Sequence, residues 1–217
     1  MKILNLYAGI GGNRKLWGNE HEITAVEYDP NIAAIYKDFF PGDEMVIADA
    51  HEFLLKNFSK YDFIWASPPC PSHSRSRFWG QPNNPVYPDF KLYEEIVLLT
   101  KWFKGKWIVE NVIPYYEPLV KPKIELHRHF IWANFDIDII EFEKLETCRK
   151  LNEREFLQGK FNIDISQYKG IDKRKLLRNC VLPEMGLHVF NAAFKKPIVK
   201  TNVQLELDVW QGKKEKI

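Results

Sequence analysis

The sequence predicts an α/β protein built on a doubly wound, Rossmann-like sheet. Three observations carry that expectation. Short apolar runs alternate with longer amphipathic segments, as strands alternate with helices. The first run enters a glycine-rich turn, Ala8-Gly9-Ile10-Gly11-Gly12. Later runs lead into Glu27, Asp49, Cys70 and Glu110. Chemistry is thereby placed at the carboxyl ends of strands, where open sheets of this kind bind ligands.

Taken in order, Ile3-Leu-Asn-Leu-Tyr7 reads as the first strand, and a helix is expected from Asn13 to near Gly18. Glycines between such a strand and helix let the backbone come close to a nucleotide-like ligand. Glu22-Ile-Thr-Ala-Val-Glu27 is the second strand. Its final carboxylate lies where a doubly wound fold sets an acid against ribose hydroxyls. Asp29 is placed to cap a helix that Pro30 begins. A third strand, near Glu44-Met-Val-Ile-Ala48, ends at Asp49.

The fourth run, Tyr61-Asp-Phe-Ile-Trp-Ala66, enters Ser67-Pro-Pro-Cys-Pro-Ser-His-Ser74. Prolines end the strand and stiffen the turn after it. Cys70 is therefore presented at a strand end, as a nucleophile would be, rather than packed as a small hydrophobe. Residues 89–104 place Leu92, Ile96, Leu99 and Phe103 on one helical face. Next comes Lys106-Trp-Ile-Val-Glu110-Asn-Val112, an apolar strand carrying an acid near its end. Strands are further expected over 130–135 and 137–142, and helices over 152–157 and 183–194.

These motifs, in this order, resemble the DNA cytosine-5 methyltransferases. Leu6-Tyr-Ala-Gly-Ile-Gly-Gly12 is similar to their cofactor loop and Ala66-Ser-Pro-Pro-Cys-Pro-Ser-His-Ser74 to their Pro-Cys motif. Glu110-Asn-Val112 matches their Glu-Asn-Val motif, and Arg178-Asn-Cys-Val181 is similar to their late Gly-Asn-Ser-Val motif. The short chain and residues 81–119 look most like small phage or prophage members. The resemblance implies a class I S-adenosylmethionine-dependent methyltransferase fold with a reduced target-recognition annex. It implies methyl transfer to carbon 5 of a cytosine flipped out of DNA. Cys70 would add to carbon 6, and Glu110 would bond N3 and the 4-amino group. Arg128 is the candidate for the base oxygen. The family usually alternates two arginines here, and this chain has His127-Arg128-His129.

Cofactor contacts carry over in the same way. Tyr7, Gly9 and Gly11 would line the methionine end of S-adenosyl-L-methionine. Glu27 would take the ribose hydroxyls, Asp49 the adenine amino group, and Pro69 would lie close to the sulfonium. Asn179 would bond the methionine carboxylate, although Arg178 stands where the family has glycine. Double-stranded DNA is the implied partner, with a cognate restriction enzyme or other phage factor beside it. A monomer in the cytoplasm of a bacterial or phage-infected cell is expected. Two other readings stay open: a DNA-binding specificity or protection protein without turnover, and the same chemistry on RNA.

Composition agrees with a globular enzyme. With 217 residues and 45% hydrophobic content the chain can bury a full core. No apolar run reaches the ~20 residues of a membrane span, and no basic start with a cleavage signal is visible. Cysteines 70, 148 and 180 suit a reducing compartment, and without a Cys-x-x-Cys pair no zinc or other metal is expected. A net charge of +2 neither demands nor excludes a nucleic acid. Local charge says more. His73, Arg75, Arg77, Phe78 and Trp79 follow the nucleophile and lead into a long irregular stretch, a mix that suits phosphates and unstacked bases. Lys173 and Arg174 lie in a second basic stretch and are expected on phosphates. The chain divides into a catalytic and cofactor-binding core at 1–135, a small annex at 136–177 and a returning segment at 178–217. Such an annex is too short for an ordinary independent domain.

Overall fold

The computed structural model describes residues 1–80, 83–143 and 152–194. Gln81, Cys148 and the tail from Lys195 onward lie outside the described residues. In chain order the elements are β1 (Lys2–Leu6), β2 (Glu22–Glu27), α1 (Pro30–Phe39), β3 (Glu44–Ile47), α2 (Ala50–Asn57), β4 (Phe63–Ala66) and α3 (Arg77–Gly80). They continue with α4 (Lys91–Trp102), β5 (Lys106–Val112), β6 (Ile124–Leu126), β7 (His129–Ala133), α5 (Glu153–Phe161), α6 (Lys173–Asn179) and α7 (Pro183–Ala193).

A single sheet runs in the order β3-β2-β1-β4-β5-β7-β6. The first five strands are parallel, and β7 is antiparallel to both β5 and β6. Strand order reverses between β1 and β4, so the crevice of the sheet opens at their carboxyl ends. Tyr7 and Ser67 are the first residues past those two ends.

Strand alternation divides the core. Ile3, Phe63, Trp65 and Ile108 face one side of the sheet, with Trp17, Leu157, Phe161, Leu177, Met185 and Phe190. Leu4, Leu6, Ile64, Ala66 and Val109 face the other, with Leu54, Leu92, Ile96 and Leu99. Trp17 is stacked on Phe190 at 5.0 Å and donates from Nε1 to the Gly186 carbonyl at 3.2 Å. The buried residues of α5 and α6 thus belong to the same apolar cluster as β1 and β4.

Several elements differ from the sequence expectation. Residues 13–18 form successive turns, not a helix. The segment is pinned by tertiary contacts instead: Asn13 to Asn5, Arg14 to Asp43, and Trp17 to Gly186. Residues 137–142 are not a strand. The segment cannot pair with β7, whose two edges are already taken by β5 and β6. The basic stretch holds the helix α6, which Asp172 caps by accepting from the Lys175 amide at 3.0 Å. Asp29 caps α1 as expected, accepting from the Asn31 amide at 2.8 Å.

Candidate active site

The crevice is a cavity of about 1020 Å³. Tyr7, Gly9, Glu27, Asp49, Pro69, Cys70, Glu110, Arg128 and Asn179 all line it. Residues from five strand ends and from α6, separated by more than a hundred positions in sequence, therefore share one space.

The cofactor rim is shaped by backbone geometry. Tyr7 has φ 55°, a left-handed conformation that costs a non-glycine residue roughly 1–3 kcal/mol. It turns the chain out of β1 into the loop. Gly9 also has positive φ, and a Cβ there would meet nothing within 4 Å, so its α-carbon faces the open cavity. Gly11 does not line the cavity, contrary to the role expected for it. A Cβ on it would lie 2.2 Å from the Phe40 ring, so this glycine serves loop packing. Gly12 does line the cavity, and a Cβ there would strike Cys180 Sγ at 2.3 Å.

Glu27 holds this rim together. Its Oε2 accepts from the Gly9 amide at 3.0 Å, and its Oε1 accepts from the Tyr28 and Asp29 amides at 2.9 and 3.0 Å. Asp49 caps α2 through the His51 and Glu52 amides at 2.9 and 3.2 Å, and Lys91 Nζ lies 3.3 Å from its other oxygen. Burial opposes ionisation of Asp49, but the Glu52 amide and Lys91 outweigh it and hold the carboxyl below its usual range.

At the other end, β4 and β5 are neighbours, with Ala66 opposite Val109. This register brings the Pro-Pro-Cys turn against Glu110 and Asn111. Asn111 Nδ2 donates to the Pro68 carbonyl at 2.9 Å and so ties the turn to β5. Cys70 is half-buried, and its carbonyl accepts from the His73 and Ser74 amides at 3.0 Å. Burial raises the thiol's pKa and Glu110 adds to the effect, while Arg128 and Lys175 act against it.

Glu110 is 6% exposed. Burial pushes its carboxyl up to about 7, against the opposing pull of Ser67 and Arg128. Its Oε2 is buried without a hydrogen-bond partner among the described residues and lies 3.7 Å from His129 Nε2. His129 is driven down to about 3 by burial, then by Arg128 and His127, so its ring is neutral. Arg128 donates from Nη2 to the Arg178 carbonyl at 2.8 Å, a contact that joins the turn before β7 to α6.

The residues expected on DNA lie elsewhere. His73 is buried beneath the loop, where its ring bonds the Tyr116 hydroxyl, so it anchors the loop and offers no surface to a phosphate. Arg75 is exposed and donates to the Pro114 carbonyl, and Arg77 donates to the Asn84 carbonyl, while Phe78 and Trp79 are exposed beside them. Lys173 donates to the Ser166 carbonyl, and Arg174 pairs with Glu153 together with Arg178. Neither these four cations nor His73 lines the cavity, whereas Lys175 and Arg178 do. Three further lining residues come from stretches the sequence had marked: Lys175 from the basic stretch expected on phosphates, Asn111 from the Glu-Asn-Val motif and His129 from the trio around Arg128. Among the described residues no group of three or more side chains could hold a metal ion, and no helix is long and apolar enough to cross a membrane.

Residues 1–116 match the C-5 cytosine-specific DNA methylase family. The chain belongs to this family. The matched part holds the glycine loop, Glu27, Asp49, Cys70 and Glu110, all of which meet in the cavity. S-adenosylmethionine is the cofactor this membership brings. The cavity suits it in volume, in the open face of Gly9 and in the acids of the rim. Solved structures similar to this chain include a SAM-dependent methyltransferase from Agrobacterium tumefaciens, at 17% identity and TM-score 0.41 over 54% of this chain and 40% of that one. Another is a DNMT2 mutant from Spodoptera frugiperda, at 30% identity and TM-score 0.36 over 51% of this chain and 35% of that one. The methylase chain thus spans well under half the length of either structure. No curated protein matches the sequence.

Proposed function

We propose that this methylase transfers a methyl group to carbon 5 of cytosine in DNA through a covalent Cys70 adduct. One observation carries the reading: Cys70 and a buried, readily protonated Glu110 open from adjacent strands into the cavity that also holds the cofactor rim. S-adenosylmethionine, when bound, supplies an electrophilic methyl group. Cytosine carbon 5 is a poor nucleophile until a group adds at carbon 6. Cys70 Sγ, once deprotonated, forms that bond and pushes an electron pair into the ring. Glu110 holds a proton at N3, which neutralises the charge developing there. Carbon 5 is then nucleophilic. Once carbon 5 has taken the methyl group, with S-adenosylhomocysteine as the leaving group, its proton passes to water and Cys70 Sγ leaves as thiolate, which restores the aromatic ring.

For Glu27 and Asp49 the proposed roles are the ribose hydroxyls and the adenine amino group. Tyr7, Pro69 and Asn179 take the methionine end. In this reading Arg128, which donates to the Arg178 carbonyl, takes the base oxygen O2. We assign target contact to the annex at 136–177 and to the loop carrying Arg75, Arg77, Phe78 and Trp79. A reader of that size reaches few base edges, so a target of about two to four base pairs is expected.

The reading is tested by incubating duplex DNA or a structured RNA with protein and S-adenosylmethionine, then digesting to nucleosides for mass spectrometry. 5-Methyldeoxycytidine from the DNA is the expected product. 5-Methylcytidine from RNA alone would move the substrate to RNA, and the absence of both would overturn the reading.

A further inference from the structure

Two titratable groups beside Tyr7, Glu95 and His51, have no part in the reaction above. Glu95, on α4, is fully buried. A buried carboxylate needs donors, and this one has two on a single oxygen. The Tyr7 hydroxyl donates to Oε1, and His51 Nδ1 lies 3.0 Å from the same atom. The opposite ring nitrogen, His51 Nε2, lies 3.1 Å from Glu94 Oε2. Glu95 Oε2 is buried without a hydrogen-bond partner among the described residues. An apolar residue at this position of α4 would avoid that cost, since Leu92, Ile96 and Leu99 around it are core.

What the cluster touches gives the carboxylate a use. Tyr7 is the left-handed residue from which the cofactor loop starts. His51 lies two residues beyond Asp49, in the first turn of α2. The chain Tyr7–Glu95–His51 therefore joins the two ends of the cofactor rim through α4. Lys91 of the same helix reaches Asp49.

We propose that Glu95 and His51 are positioning residues that hold Tyr7, and with it the cofactor loop, in the binding geometry, and that this hold weakens when the pair loses its proton. The inference rests on the reading that this rim receives S-adenosylmethionine.

Surrounding charges favour keeping the proton. Glu94, Asp49 and Asp89 are the acids that act on the Tyr7, His51 and Glu95 group, and Lys91 is the opposing cation. The bond to Glu95 raises the His51 pKa, against an opposing effect of burial. A histidine raised in the folded protein contributes fully below its ordinary range and loses that contribution as pH rises through the raised value. Cofactor affinity should follow the same direction.

The test is calorimetric binding of S-adenosylmethionine to the full chain, to H51Q and to Y7F, at intervals from about pH 6 to about pH 9. The ligand's own amino group titrates near ~8 and affects every protein alike, so the readout is the ratio of wild-type to variant affinity. For H51Q the ratio should be about fivefold or more at the acid end and approach one at the alkaline end. Y7F lacks only the oxygen that bonds Glu95 and should bind several-fold more weakly at the acid end. An H51Q ratio that does not change with pH, or a Y7F that binds as wild type does, overturns the relay alone. A wild type that binds no S-adenosylmethionine at any pH overturns the cofactor reading and the relay with it.

Discussion

At the Glu27 and Asp49 end of the cavity both oxygens of each carboxylate have partners, and at the Cys70 end Glu110 has one oxygen without. Glu27 receives three backbone amides, and Asp49 receives two and a lysine. Glu110 Oε2 and His129 Nδ1 are buried with no hydrogen-bond partner among the described residues. The contrast is physical. Rim acids lie at helix and loop starts, where free amides are plentiful. Glu110 lies within β5, whose amides are spent on β4 and β7. One half is therefore ordered before any ligand arrives. The other holds polar groups at a cost that a base edge could offset.

The sharpest way to break this comparison is at Cys70. C70A should lower methyl transfer by ~10⁴-fold or more, as expected when a nucleophile is removed, with S-adenosylmethionine binding retained. Radiolabelled methyl transfer checks the first part and calorimetry the second. A variant that keeps wild-type turnover would remove Cys70 from the chemistry.

Glu110 comes next. E110Q should cost ~10²–10⁴-fold in rate, the usual range for a positioned proton-handling group. Its pH profile sharpens the assignment. The reacting pair needs one proton, on Glu110, and a deprotonated Cys70. With Glu110 at about 7 and the thiol raised above its ordinary value, the wild-type rate should climb to about pH 7 and stay level into the thiol's range. E110Q has no carboxyl to ionise, so its rate should go on rising across that level region. Identical profiles would contradict a proton held by Glu110.

Smaller effects distinguish the two rim acids. E27A leaves three backbone amides without their acceptor, so a loss of ~1–3 kcal/mol, or roughly fivefold to 150-fold in cofactor affinity, is expected. D49A should cost less in affinity, because it frees two backbone amides rather than three, and about 1 kcal/mol in stability through the lost cap of α2. Calorimetry and thermal melts read the two separately. Equal losses of affinity would show that the ordered loop matters no more than a single contact.

The smallest effect is expected at the loop cations. R75A and R77A should each reduce the salt dependence of DNA binding by about one counterion while leaving cofactor binding unchanged. An unaltered slope in both would place the phosphates elsewhere, with Lys175 and Arg178 as the next candidates.

Much of this site was legible in the sequence because strand ends are. Apolar runs mark the strands, and whatever follows them falls on the binding edge. Glu27, Asp49, Cys70 and Glu110 were all found in this way and all line the cavity. The surface was less legible. His73 stands in a basic, aromatic stretch, yet it is buried against Tyr116, a partner 43 positions away. Arg174 looks free for phosphate until Glu153 is brought beside it by the packing of α5 on α6. Gly11 fits a ligand-facing role by motif, but the Phe40 ring fills the space in front of it. In each case the deciding neighbour is distant in sequence. The missed helix α6 is short and carries adjacent charges, and its single buried leucine leaves no apolar stripe to read.

The most direct test of the account is covalent capture on duplex DNA containing 5-fluorocytosine, with S-adenosylmethionine present and intact-mass spectrometry as the readout. Fluorine cannot leave carbon 5 as a proton does, so the bond from Cys70 Sγ to carbon 6 should persist. The account predicts protein heavier by one oligonucleotide strand, mapped to the peptide holding Cys70 and absent in C70A. An adduct of equal yield in C70A, or no adduct from protein that methylates ordinary DNA, would contradict it.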